Sequence, residues 1–174
     1  DTTFEKYLLT LGTPTQAGVG EDVIIQSFPT EDQLLCGFTE LIREKNPQIL
    51  SGYNILGFDL PYMIKRADWS MCEDEFFKMG LVKDVICKKE SISWSSSAYK
   101  NQNFEYIDAE GRLFVDLLPI VQRDYKFSNY KLKTVTDFFL GETKDPLSVK
   151  DIFRCYRSGI SDSPNANDDM AMVG

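Results

Sequence analysis

Two short apolar runs stand near the start of the chain, Tyr-Leu-Leu-Thr-Leu at residues 7 to 11 and Val-Ile-Ile-Gln-Ser-Phe at residues 23 to 28. Each is too short for a helix and the Gly/Pro/Thr-rich stretch "GTPTQAGVGED" parts them, so they predict two buried strands around a turn region. From Thr30 the spacing changes. Leu34, Leu35, Phe38, Leu41 and Ile42 recur at three- and four-residue steps, which predicts an amphipathic helix. Thr30 with Gln33 forms a capping-box pattern, Glu31 and Asp32 suit the first turn, and Pro47 bars continuation. "QILSGYN" then predicts a buried strand, and "LPYMIKRADW" a helix with Pro61 in its first turn. The order strand, strand, helix, strand, helix is that of an α/β protein.

The middle of the chain alternates apolar and polar residues in "DVICKKESISWSSS" and "QNFEYIDAEGRLFVD". That predicts an antiparallel excursion packed by Ile92, Trp94, Phe104, Tyr106 and Phe114, with a stacking surface for nucleic acid as the alternative use of those rings. Three helices follow: "LLPIVQRDY", "YKLKTVTDFFL" closed by Gly141, and "VKDIFRCYRS" closed by Gly159. Ser148 with Asp151 caps the last of these, and Val149, Ile152, Phe153 and Tyr156 form its apolar stripe. "SGISDSPNANDD" reads as a flexible polar loop, and "MAMVG" as the first turn of a further helix.

With 174 residues, 43% apolar and 13% aromatic, the chain is expected to form one globular domain over residues 1–174. No apolar stretch approaches the roughly 18 residues of a membrane span, and no basic-then-apolar leader is present, so the chain reads as soluble and intracellular. Cys36, Cys72, Cys87 and Cys155 lie far apart without a C-x-x-C spacing, which predicts free thiols.

The absence of histidine narrows the chemistry most. It excludes Ser-His-Asp and Cys-His catalysis, H-E-x-x-H zinc sites and imidazole bases. Carboxylates, lysine, tyrosine or hard cations remain, and 27 acidic residues supply oxygen ligands of the kind that Mg²⁺ or Mn²⁺ takes. A net charge of −8 argues against unaided binding of duplex DNA through a broad basic face, but not against receiving a few nucleotides through bound ions.

"SGYNILGFDLPYM", residues 51 to 63, carries one carboxylate, Asp59, between an apolar run and a Leu-Pro pair. An Asp two residues before a proline that opens a helix is a good N-cap. The same position points a carboxylate off the end of a buried strand, where open α/β sheets bind ligands, and both roles can hold at once.

Tyr53-Asn54, a short spacer, Phe58-Asp59 and Leu60-Pro61-Tyr62 resemble the second exonuclease motif of the family B DNA polymerases. "YLLTLGT", "EDQLLCGFTELIREKNPQILSGYN", "GRLFVDLLPIVQRDYKFSNYKL" and "TVTDFFLGETKD" are similar to segments of the delta-type catalytic subunit. "KDPLSVKDIFRCYR" is similar to versions carried by large DNA viruses. The resemblance implies a ribonuclease H-like fold, a mixed sheet flanked by helices, performing 3′–5′ proofreading at the single-stranded 3′ end of primer DNA. It implies two Mg²⁺ or Mn²⁺ ions in the complete domain, with Asp59 as a catalytic metal-ligand carboxylate and with Asn54 and Phe58 contacting the frayed primer end. An amide can hydrogen-bond sugar or base edges, and a phenyl ring can pack on an unstacked base. Asp116, in "FVDLLP", also matches a recurrent family position, for which a structural or capping role is expected.

The departures from the family pattern set further expectations. Asp1 is followed by Thr2 and Thr3, so the first motif, Asp-x-Glu, is absent, and the third, Tyr-x-x-x-Asp, would fall after "MAMVG". The chain therefore reads as an internal piece of a polymerase, incomplete at both ends, keeping one carboxylate of the usual four and inactive alone. The remaining polymerase domains are its expected partners, with self-association through uncovered apolar surface, and a nucleus or viral replication site its expected location. The alternatives are a catalytically silent exonuclease-like scaffold or nucleic-acid-binding module, and an unrelated acidic interaction domain.

Overall fold

The computed structural model describes residues 4–96, 100–141, 148–159 and 166–173. They fall into two compact units, one of residues 1–38 with 146–174 and one of residues 39–145.

In the first unit, strands β1 (Lys6–Leu11) and β2 (Val23–Phe28) pair in parallel, with Lys6 opposite Val23 and Leu11 opposite Phe28. Parallel pairing requires a crossover, and the predicted turn region provides it with a short helix, α1 (Gln16–Val19). The helix α2 (Glu31–Lys45) begins in this unit with Glu31 and Asp32 in its first turn, as the sequence predicts. Gly37 lets the Phe28 ring lie against the α2 backbone, since a Cβ there would stand 2.3 Å from Phe28 Cζ. Helices α7 (Val149–Gly159) and α8 (Ala166–Val173) complete the unit around buried Cys155, Met170 and Ala171. Ser148 Oγ accepts the Asp151 N–H at 3.2 Å, the cap expected from the sequence. The start of α8 at Ala166 overturns part of the polar loop expected at residues 158 to 169, because Ala166–Asp169 already belong to the helix that carries buried Met170. Residues 160–165 of that loop lie outside the described residues.

The second unit holds the rest of α2, which ends at Lys45 before Asn46 turns to φ 50° ahead of Pro47. Strand β3 (Ile49–Gly52) pairs in parallel with β6 (Leu113–Asp116), Gly52 lying opposite Asp116. Between them come a π-helical turn (Ile55–Asp59), α3 (Leu60–Trp69), the short α4 (Glu73–Phe76), and a hairpin of β4 (Lys88–Ser96) and β5 (Lys100–Asp108). The hairpin is antiparallel as expected, with Ile92 opposite Phe104, but "LFVD" is not part of it: that segment is β6, so Phe114 packs elsewhere. Among the described residues of the hairpin, Ile107 is fully buried. Helices α5 (Leu117–Asp124) and α6 (Leu132–Leu140) follow, and Gly141 closes α6 at φ 68°. Among the described residues no helix is long and apolar enough to cross a membrane.

The core of this unit is Ile42, Leu60, Ile64, Ala67, Phe76, Met79, Ile107 and Val135, and burying each large member contributes about 1.5–3 kcal/mol. Arg112 is buried with them. Its guanidinium donates to the carbonyls of Met79, Pro47 and Gly80 and to Asn46 Oδ1, so one side chain ties three chain segments together. Desolvation lowers its pKa, and the carbonyl oxygens hold the charge without a carboxylate. The strands themselves are less buried than their apolar runs suggest. Ile24, Ile49 and Leu113 are all exposed, because among the described residues each sheet has two strands and only part of each face is covered.

Candidate active site: a π-helical turn clamped by Asp116

Strands β3 and β6 run parallel and end together at Gly52 and Asp116, so the segment Tyr53–Asp59 leaves from the carboxyl edge of the pair. Tyr53 and Asn54, expected at the end of the strand, lie beyond it. Asn54 adopts the left-handed conformation, φ 62° and ψ 26°, which asparagine tolerates better than most residues. Its carbonyl accepts the N–H of Gly57 at 3.2 Å and of Phe58 at 3.0 Å, and the Leu60 N–H reaches back to the Ile55 carbonyl. That last step, from residue i to i−5, is the wider π-helical turn.

Asp116 fixes this turn. Its Oδ1 accepts the Asn54 N–H at 2.8 Å and its Oδ2 the Leu56 N–H at 3.0 Å. Oδ1 also accepts the Leu118 N–H at 2.9 Å and so caps α5. The capping role expected for Asp116 is present, and the structure adds a clamp across 62 residues of chain. Gly57 completes the packing. A Cβ on it would stand 2.5 Å from Asn54 Oδ1, so the Asn54 amide lies over a position that only glycine leaves open.

The local reading of Asp59 as an N-cap is corrected. Asp59 has helical dihedrals, φ −65° and ψ −52°, and makes no cap hydrogen bond. The helical run already starts at Ile55, and Pro61 removes one of the two N–H groups, those of residues 61 and 62, that a cap at residue 59 accepts from. The carboxylate is exposed to solvent. Phe58 is not a core residue either: it is 62% exposed and its ring lies parallel to that of Tyr62, 6.2 Å away. Asn54, Phe58 and Asp59 are thus gathered in one turn, the first two joined by a backbone hydrogen bond.

Two tyrosines tether the segment that leads into the turn. Tyr53 Oη donates to the Tyr130 carbonyl at 2.6 Å, and Tyr130 Oη donates to the Tyr125 carbonyl at 2.9 Å. Burial, and then the charge of Asp116, push the Tyr53 phenol above its ordinary pKa.

As a metal centre the arrangement is partial. Among the described residues no three His, Cys, Asp or Glu side chains come together to hold an ion. The Asp116 carboxylate is engaged with three backbone N–H groups, which leaves Asp59 as the available oxygen ligand of the turn. One carboxylate does not meet the octahedral demand of Mg²⁺, so these residues do not by themselves make up a two-ion site.

Comparison with known proteins identifies the family. The sequence pattern of "DNA polymerase family B, exonuclease domain" matches residues 1–135, and the chain belongs to that family. It is 50% identical over 171 residues to DNA polymerase 120R of Invertebrate iridescent virus 3, which covers 98% of this chain and 15% of the viral protein. It is 40% identical over 164 residues to DNA polymerase 037L of Invertebrate iridescent virus 6, covering 90% of this chain and 13% of that protein. Similarity extends to plants: identity is 38% over 149 residues to the DNA polymerase delta catalytic subunit of Glycine max, covering 86% of this chain and 13% of that protein.

Proposed function

We propose that this chain supplies the Asn54–Asp59 turn of the 3′–5′ proofreading exonuclease domain of a DNA-directed DNA polymerase, within a ribonuclease H-like fold. The observation that carries this is the turn itself: pinned by Asp116, it holds Phe58 and Asp59 out to solvent at the carboxyl edge of a parallel strand pair. Exposing a phenyl ring costs about 1.5–3 kcal/mol of forgone burial, which fits a ring whose partner is a ligand.

In this reading the substrate is the single-stranded 3′ end of a primer. The Phe58 ring packs on the unstacked terminal base, and the Asn54 amide, held over Gly57, hydrogen-bonds the sugar or base edge of that nucleotide. Asp59 is one ligand of the Mg²⁺ or Mn²⁺ ions of the complete domain, and the other polymerase domains of a longer chain are its partners. The chain's own residues hold the terminal nucleotide in register; the net result is hydrolysis of the last phosphodiester.

The test is made in a full-length polymerase carrying these 174 residues, assayed for release of the 3′-terminal nucleotide from single-stranded DNA. Phe58→Ala raises KM and Asp59→Ala removes release, with polymerisation retained as the measure of folding. Normal release by Asp59→Ala rejects the reading.

A further inference from the structure

Helix α3 buries Leu60, Ile64 and Ala67 on one side. At about 100° per residue, Tyr62, Lys65, Arg66 and Trp69 fall within an arc of roughly 100° on the opposite side. Tyr62 is 56% and Trp69 74% exposed, large values for rings of this size, and Lys65 is exposed as well. Tyr62 continues the line of Phe58, its ring plane within 7° of parallel. Further along, the Arg66 guanidinium lies 5.0 Å over the Trp69 ring. Asp68, the one acid of α3, falls outside the arc, about 60° from its nearer edge.

The stripe is thus aromatic, then cationic, then aromatic, in a chain whose net charge is −8. Apolar packing alone does not call for two cations between the rings. A polyanion with flat apolar faces does, because bases stack on rings in a sequence-tolerant way while the phosphates pair with the cations.

We propose that this face of α3 is a track for single-stranded DNA, holding the nucleotides that lie upstream of the terminal one. It rests on the reading of Phe58 and Asp59 above and extends it. The terminal base packs on Phe58, the strand continues past Tyr62, the Lys65 and Arg66 side chains meet phosphates, and Trp69 stacks a base at the far end. From Phe58 to Trp69 the helix rises about 16 Å at 1.5 Å per residue. At about 3.4 Å per stacked nucleotide that length accommodates about five nucleotides. Lys65, Arg66 and Trp69 act here as positioning and affinity residues and not in bond cleavage.

The experiment uses the full-length polymerase and oligothymidylates of two to eight nucleotides, with kcat and KM for 3′-terminal release measured at each length. In the wild type KM falls with length until the track is filled. Trp69→Ala raises KM about tenfold for the long substrates, the effect of losing one stacked base, and the difference vanishes for the dinucleotide. Trp69→Phe restores most of the loss. Lys65→Gln weakens long substrates and lowers the salt dependence of their KM by about one ion. Asp59→Ala is run in parallel. If it is inactive while Trp69→Ala matches the wild type at every length, the track is overturned and the site stands. If Trp69→Ala instead lowers the melting temperature with KM unchanged, the stripe packs against another part of the polymerase and the track is equally overturned. If Asp59→Ala is fully active, the site reading falls and the track with it.

Discussion

Asp116 Oδ1 accepts the backbone N–H of Asn54 at 2.8 Å, joining the end of β6 to the turn that follows β3. The same carboxylate takes two further backbone N–H groups, one in the turn and one in α5. Hydrogen bonds to a charged group contribute about 1.5–3 kcal/mol each, and a donor left without its partner costs the desolvation as well. Asp116→Ala therefore destabilises the 174-residue chain by about 3 kcal/mol, read as a lower urea midpoint with an unchanged slope. Asp116→Asn keeps the volume and one oxygen, and falls between. Equal midpoints for all three would show that the clamp carries no stability.

Gly57→Ala separates stability from substrate contact. The added Cβ meets Asn54 Oδ1, the movable end of a side chain, and no backbone atom among its nearest neighbours. The amide turns away and the fold remains. The expected result is a melting temperature close to wild type together with a KM for 3′-terminal release raised several-fold. A large loss of stability with KM unchanged would mean that Gly57 serves backbone geometry and not the Asn54 amide.

Tyr53 makes the turn sensitive to alkali. Burial and the nearby Asp116 charge favour its neutral phenol, so its pKa in the folded chain lies above the ordinary tyrosine value of about 10. The sign follows: the folded state holds this proton more tightly, so the contribution is complete below about pH 10 and is lost as pH rises through the folded value. Tyr53→Phe also loses the hydrogen bond to the Tyr130 carbonyl, about 1 kcal/mol at neutral pH. In a pH series of urea midpoints, the gap between wild type and Tyr53→Phe narrows above pH 10. A gap that stays constant to pH 11 would contradict the assignment.

Much of this architecture was legible in the residues. The three- and four-residue spacing from Leu34 to Ile42 marks α2, Gly141 marks the end of α6, and Ser148 with Asp151 marks the start of α7. These signals are local, and the residues that make the contact lie within a turn or two of each other. What the sequence did not show is long in range. Whether "LFVD" pairs with the hairpin beside it or with "ILSG" some sixty residues earlier is not written in its alternation, because both pairings place Phe114 on a sheet face. Arg112 reads as a surface cation until its four acceptors are seen to come from residues 46–47 and 79–80.

The same division runs through the site. Asn54, Phe58 and Asp59 were readable as a motif, and they do share one turn. The role assigned to Asp59 from local rules alone was wrong, because a cap is defined by where the helix starts, and the wider turn moves that start back to Ile55. The clamp by Asp116 had a partial signal, an aspartate between an apolar strand and a helix. Two of its three donors, the Asn54 and Leu56 N–H groups, come from far along the chain.

Asp59 carries the chemistry proposed for the turn. In a full-length polymerase carrying this segment, release of the 3′-terminal nucleotide from single-stranded DNA is measured for wild type and Asp59→Ala, with polymerisation followed on the same preparations. A loss of at least about 100-fold in release with polymerisation intact is the predicted result, the size expected when a group that stabilises developing charge is removed. Equal rates of release in the two proteins would contradict the account.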